Sequence, residues 1–276
     1  MPADVRPADV RPVDARPAEI RTLETPPGDA LFQMMLRVGD DHLVMGHRIS
    51  EWCGHAPMLE EDLALPNIAL DLIGQARGLL TYAGELEDKG RSEDDLAYFR
   101  TDRQYRNCLL VERPNGDFGQ TMLKTLYFSA FMEPWWRAAC ASPDETLAGI
   151  AGKAVKEAAY HVRHSAEWVI RLGDGTEESA SRMAAAVAAL HGYTPELFEV
   201  DDVVASLVAR GVVPDPEALR ADWQRTIDGV FAEALLEVPH VPYPRTGGRQ
   251  GMHGEELGHM LAQMQALPRQ MPGQAW

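Results

Sequence analysis

The chain has 276 residues, 45% of them hydrophobic and 25% charged, which is enough for one large domain or two modest ones. Its 26 basic and 42 acidic residues leave a formal charge of −16, which excludes nucleic-acid binding as a dominant role because neutralising phosphate needs a basic face. Cys53, Cys108 and Cys140 form no Cys-x-x-Cys, no apolar run reaches the roughly 18 residues that span a bilayer, and the N-terminus lacks a secretory apolar core; a reducing cytoplasm is expected and a membrane is not.

The first 21 residues are a degenerate pentapeptide repeat: Pro2-Ala-Asp-Val-Arg6, Pro7-Ala-Asp-Val-Arg11, Pro12-Val-Asp-Ala-Arg16, Pro17-Ala-Glu-Ile-Arg21. A proline every five residues blocks helix growth, and charges alternate too finely for an apolar face, so residues 1–28 are expected to be a disordered tail. From Asp29, a candidate N-cap, Leu31, Met34, Met35, Val38, His42, Met45, Ile49 and Trp52 make the stripe of a first helix ending at Gly54. A second is expected from about Met58 to Leu86, interrupted or kinked at Pro66, and the acidic stretch from Gly90 to Arg100 reads as loop.

The third helix should cover about Phe118 to Cys140, with Pro134 bending or dividing it. Ser142-Pro143-Asp144-Glu145 predicts a serine-capped start for the fourth, which continues through Ala158 and His161 to Gly173. Further helices are expected over about Glu177 to Leu190, from Pro216 to Ala234, and from Glu255 to Leu267. No segment reads as a strand. The expectation is an all-α fold over 29–276, an up-and-down four-helix bundle with additional C-terminal helices.

A bundle places its chemistry on inward positions, and a di-metal carboxylate site there needs a Glu from each of two helices and a Glu-x-x-His from each of the other two. Three-residue spacing is required because such residues share a helix face. The Glu-x-x-His at Glu256 to His259 lies opposite the apolar stripe of Leu257, Met260, Leu261 and Met264, and so cannot be internal. His161 lies on an apolar stripe but is preceded three residues earlier by Ala158, while Glu157 points about a quarter-turn away. Asp71 is followed three residues later by Gly74. His161 therefore reads as a buried, hydrogen-bonded histidine. The glycine-rich stretch around Arg245, Gly247, Gly248, Arg249, Gly251 and His253 has no preceding strand and no Lys-Ser/Thr, so it is a poor phosphate loop. Trp135, Trp136, Trp168 and Trp223 suit either core or interface.

Five stretches carry a family resemblance: Leu43-Val-Met-Gly-His-Arg-Ile-Ser-Glu-Trp-Cys-Gly-His-Ala-Pro57, Asn67-Ile-Ala-Leu-Asp-Leu-Ile-Gly-Gln-Ala-Arg77, Tyr160-His-Val-Arg-His164, Arg171-Leu-Gly-Asp-Gly-Thr176 and Gly247-Gly-Arg-Gln-Gly-Met-His253. Together they resemble the C subunit of bacterial phenylacetyl-CoA epoxidases across nearly the whole chain after Asp29. The resemblance implies a ferritin-like structural subunit in a complex that epoxidises the ring of phenylacetyl-CoA. A catalytic A subunit would hold di-iron and substrate, joined by a B subunit and an iron–sulfur flavin reductase, with a homodimer expected for the isolated chain. It also implies that Glu51, Asp71, Gly74, Ala158 and His161 are degenerate di-iron positions, that no cofactor binds this chain, and that Lys124 or hydrogen bonding neutralises the remaining acids. The glycine-rich stretch from Arg245 to His253 is then a partner contact. The alternatives are an active di-iron oxygenase with unusual ligands and a stand-alone acyl-CoA-binding protein.

Overall fold

A computed structural model describes residues 30–241 and 243–274; the repeat tail and the Asp29 cap lie outside them. In chain order the helices are α1 (Ala30–Ser50), α2 (Leu59–Glu87), α3 (Glu93–Tyr98), α4 (Leu109–Glu112), α5 (Phe118–Ala139), α6 (Glu145–Gly173), α7 (Glu177–Leu190), α8 (Asp202–Ala209), α9 (Pro216–Glu233), α10 (Glu255–Met264) and α11 (Ala266–Gln270). No strand occurs among the described residues, and the fold is an all-α, ferritin-like bundle.

Helices α1, α2, α5 and α6 form the core bundle. A short connection folds α2 back along α1, and the two backbones approach closely because Gly39 and Gly46, seven residues apart, face α2. A Cβ on Gly39 would meet the Leu80 side chain at 2.9 Å, and one on Gly46 would meet Ile73 at 2.9 Å. Asp144 to Tyr82 and His161 to Asp71 contacts set α6 antiparallel to α2. Contacts of His42 with Phe128 and of Trp52 with Thr121 set α5 antiparallel to α1. The order is therefore up, down, down, up. Residues 88–117, carrying α3 and α4, are the crossover that this order requires.

Helix α9 closes over α5, where Trp223 Nε1 donates to Tyr127 O at 3.0 Å, and α8 packs on α1. Trp135, Trp136 and Trp223 are core residues, and Trp168 is half-buried.

Several local expectations need correction. Pro66 does not interrupt α2, and Pro134 does not divide α5. Each removes one backbone bond, and the turns around them are held by buried neighbours such as Leu65, Ile68 and Trp135. Asp144, not Ser142, caps α6 by accepting from Leu147 N at 2.8 Å. Ser142 Oγ instead accepts from Asp144 N and donates to Val212 O. The acidic stretch after Gly90 contains α3, started by a reciprocal Ser92–Asp95 capping box. Helix α8, capped by Asp201, and the 3-10 segment His191–Phe198 were not foreseen.

Candidate functional site

The bundle interior brings two of the five degenerate positions together. His161 is buried on α6, and its Nε2 lies 3.1 Å from Asp71 Oδ2 at the α2–α6 seam. Asp71 is about a third exposed, so the pair sits at the edge of the bundle. Ala158 is buried one turn from His161 and puts a methyl group where a carboxylate would face the interior. Gly74 is exposed, and a Cβ there would lie 3.9 Å from Lys153 Nζ on the α6 surface. Glu51 follows α1 at the far end, largely exposed and held by Arg48 Nη1 at 2.9 Å and Asn115 Nδ2 at 3.0 Å.

Lys124 is fully buried, but its contacts differ from those expected. Its Nζ donates to Arg113 O at 2.7 Å and to Asn115 Oδ1 at 3.1 Å, both uncharged oxygens. Asn115 turns its amide nitrogen to Glu51, so the acid is reached only through that residue. Burial and the neighbouring Arg48 push the amine down to about 7, against the opposing pull of Glu51.

The residue that sequence reasoning missed is His42. It is completely buried, with Nδ1 2.7 Å from Val38 O. A carbonyl only accepts, so Nδ1 carries the proton and the buried Nε2 is left without a protein partner. The ring lies between Phe128 and Trp136, at 5.2 and 5.4 Å between centroids. Burial drives its pKa down to about 4. Its place on the apolar stripe of α1 was the available signal.

This donor set does not fit two iron ions. Among the described residues no three His, Cys, Asp or Glu side chains converge to hold a metal; the histidine–carboxylate contacts His161–Asp71, His164–Glu61 and His253–Glu112 are separate pairs. Glu256 and His259 do not repair it: Glu256 pairs with Arg113 at 2.9 Å, and His259 is exposed.

The larger polar assembly lies on the other side of α1, where Arg37, Asp40, Asp41 and Arg48 are all buried. Asp40 binds Arg100 and accepts from Arg106 N at 2.8 Å. Asp41 takes both Arg249 nitrogens, at 3.0 and 2.7 Å, and Cys108 N at 2.7 Å. Arg37 forks onto Asp201 at 2.9 and 2.6 Å. Glu112 accepts from Asn107, His253 and Gly254 N. Glu196 accepts from the backbone of Leu109, Gly247 and Gly248. Burial raises the pKa of Asp41 against the opposing charge of Arg249.

These contacts alter the reading of the glycine-rich segment. A Cβ on Gly248 would run into the Asn107 carbonyl, and one on Gly251 into that of Arg103. Gly247, Gly248, Arg249, Gly251 and His253 are thus engaged by the chain's own α1, crossover and 3-10 segment. Of the six residues expected at a partner, Arg245 alone is exposed, with Nη1 2.7 Å from the Tyr193 hydroxyl.

No helix of the described residues is long and apolar enough to cross a membrane. The sequence profile of a family described as "Phenylacetic acid catabolic protein" matches residues 19–276. A curated relative, the C subunit of the 1,2-phenylacetyl-CoA epoxidase of Escherichia coli (strain K12), is 48% identical over 241 residues, covering 87% of this chain and 97% of the relative.

Proposed function

The chain belongs to the phenylacetic acid catabolic protein family, and from that premise we propose that it is the structural, non-catalytic subunit of a multicomponent phenylacetyl-CoA epoxidase. It supports a di-iron catalytic A subunit, with a B subunit and a reductase completing the assembly, in the aerobic breakdown of phenylacetate in the cytoplasm. In this reading the chain holds no iron and takes no part in the chemistry.

The observation that supports this reading is the fate of the interior positions. His161 meets one carboxylate, Asp71, at the seam; Ala158 offers no donor, Gly74 faces outward, and Glu51 is bound elsewhere. A di-iron carboxylate centre needs about six protein ligands aimed at one point. The interior instead holds a neutral His42 among Phe128 and Trp136, and at Lys124 a buried amine bonded to two uncharged oxygens.

The test combines this chain with an A-subunit homologue and assays turnover of phenylacetyl-CoA by each alone and by the mixture, with a reductase supplied. We expect no turnover from this chain alone, greater turnover from the mixture than from the A homologue alone, and negligible iron in this chain after purification. Turnover by this chain alone, or about two irons per chain retained through mild chelation, would overturn the proposal.

A further inference from the structure

Helix α10 starts without a side-chain cap: its N-cap is Gly254, and the backbone donors of a helix start need partners from elsewhere. The partner here is Glu112, the last residue of α4. One carboxylate oxygen accepts from Gly254 N at 2.8 Å; the other lies 2.7 Å from His253 Nδ1 and accepts from Asn107 Nδ2 at 3.0 Å. Two consecutive residues thus fix the start of α10 on one buried acid. Beyond that start the helix buries Leu257, Met260 and Leu261.

The other ring nitrogen also meets an acceptor. His253 Nε2 lies 3.1 Å from the Tyr105 carbonyl oxygen, and the side chain is only 2% exposed. With Glu112 as a carboxylate, both facing oxygens accept, so the ring satisfies them only with a proton on each nitrogen, as an imidazolium. A neutral ring would turn a lone pair toward one of these oxygens in a place closed to water. Burial alone would lower the pKa of His253; the Glu112 carboxylate and the Tyr105 carbonyl more than reverse this and leave it raised above the ordinary 6.5. The other charged groups around the ring are already engaged. Asp40 of α1 holds Arg100, Arg48 of α1 donates to the Glu112 carbonyl, Arg106 donates to the carbonyls of Arg103 and Tyr105, and Arg113 pairs with Glu256 of α10.

We propose that His253 and Glu112 form a proton-held latch that seats α10 on the crossover, and that loss of the proton in alkaline solution loosens α10 while Arg249 stays anchored on Asp41. A group whose folded pKa is raised lends its full stability below the unfolded value, here 6.5, and loses it as pH rises through the folded value. The latch is therefore closed on the acid side of this window and slackens toward the alkaline side. It does not depend on which protein the chain accompanies.

The experiment follows the full chain from about pH 5 to about pH 10, a range that brackets the ordinary histidine value. Nitrogen-15 spectra of the histidine rings report the charge of His253, assigned by its loss in His253→Gln, with exposed His55 and His259 as references. Hydrogen exchange, corrected for the intrinsic effect of pH, reports the protection of α10, with α5 as the control. Glu112→Gln is the informative variant, because its amide donates to Nδ1 and suits a neutral ring. Lys124, which titrates in the same range, is common to both chains. Helicity and melting establish that each variant folds; should Glu112→Gln not fold, His253→Gln takes its place. In the unaltered chain we expect both ring nitrogens protonated at neutral pH and titration above that of His55 and His259. Protection of α10 should fall by up to about tenfold per pH unit from 6.5 until the ring's own pKa is passed. In either variant it should not follow that course, and α5 should be unaffected throughout. A His253 ring that titrates with or below the exposed histidines would overturn the proposal. So would protection of α10 that holds as the ring loses its proton, or that falls equally in the unaltered chain and the variant.

Discussion

At Lys124 a cation is buried with two uncharged oxygens as its hydrogen-bond acceptors. Its ordinary pKa of 10.5 falls to about 7 in the folded chain. The folded state therefore binds fewer protons than the unfolded state between those values, and stability rises with pH across that window. One such group contributes at most about 1.4 kcal/mol per pH unit. Lys124→Met removes the titration while keeping the stem packed. We expect urea midpoints of the unaltered chain to rise from pH 7 to 9 relative to those of the variant; parallel profiles would show that the amine does not titrate there. His42 has the same sign in a lower window. With its pKa at about 4, the folded chain resists protonation, and stability falls as pH drops through 6.5 toward 4.

Among the elements, α1 and α2 approach closely at Gly39 and Gly46, whereas the first half of α6 has open space at Gly149 and Gly152. Gly46→Val pushes a branched side chain into Ile73 and the Ala69 carbonyl, and is expected to cost about 1–3 kcal/mol through overpacking. Gly152 lies in the exposed interior of α6 with nothing near a Cβ, so Gly152→Ala should stabilise by about 0.5–1 kcal/mol. Denaturant midpoints of the two variants, moving in opposite directions, check the contrast. The four bundle helices were legible because their apolar stripes are long. Helices α3 and α8 were less so: each is short, and an acidic run obscured the capping signal of Ser92. At the interior, periodicity correctly turned Ala158 and His161 inward, but it does not say where the neighbouring helix lies. That direction decides that Asp71 meets His161 at a seam while Gly74 faces out. The internal anchoring of the glycine-rich segment was illegible for a related reason: the acceptor of Arg249 lies 208 residues earlier, at Asp41, beyond the reach of any local pattern.

For the molecule as a whole, the net negative charge hides an internal arrangement in which Asp40 and Asp41 of α1 are matched by Arg100 and Arg249, and Glu112 of the crossover by His253. Arg249→Ala would leave Asp41 buried with only the Cys108 amide as a close donor, and removing one partner of a buried pair costs about 3–5 kcal/mol. We expect one cooperative melt at a lower temperature, with the bundle and the C-terminal segment lost together; a separate early transition confined to that segment would refute this coupling. The pairing also orders events during synthesis. Helix α1 leaves the ribosome first, yet Asp41 waits for a residue 208 positions later, and Arg37 for Asp201, 164 positions later. The nascent chain must carry α1 with its buried-to-be charges unanswered until most of the protein has been made, so the bundle cannot settle helix by helix in order of translation. Assembly of its first helix is a late step, and a ribosome that stalls before Arg249 releases a chain unable to complete it.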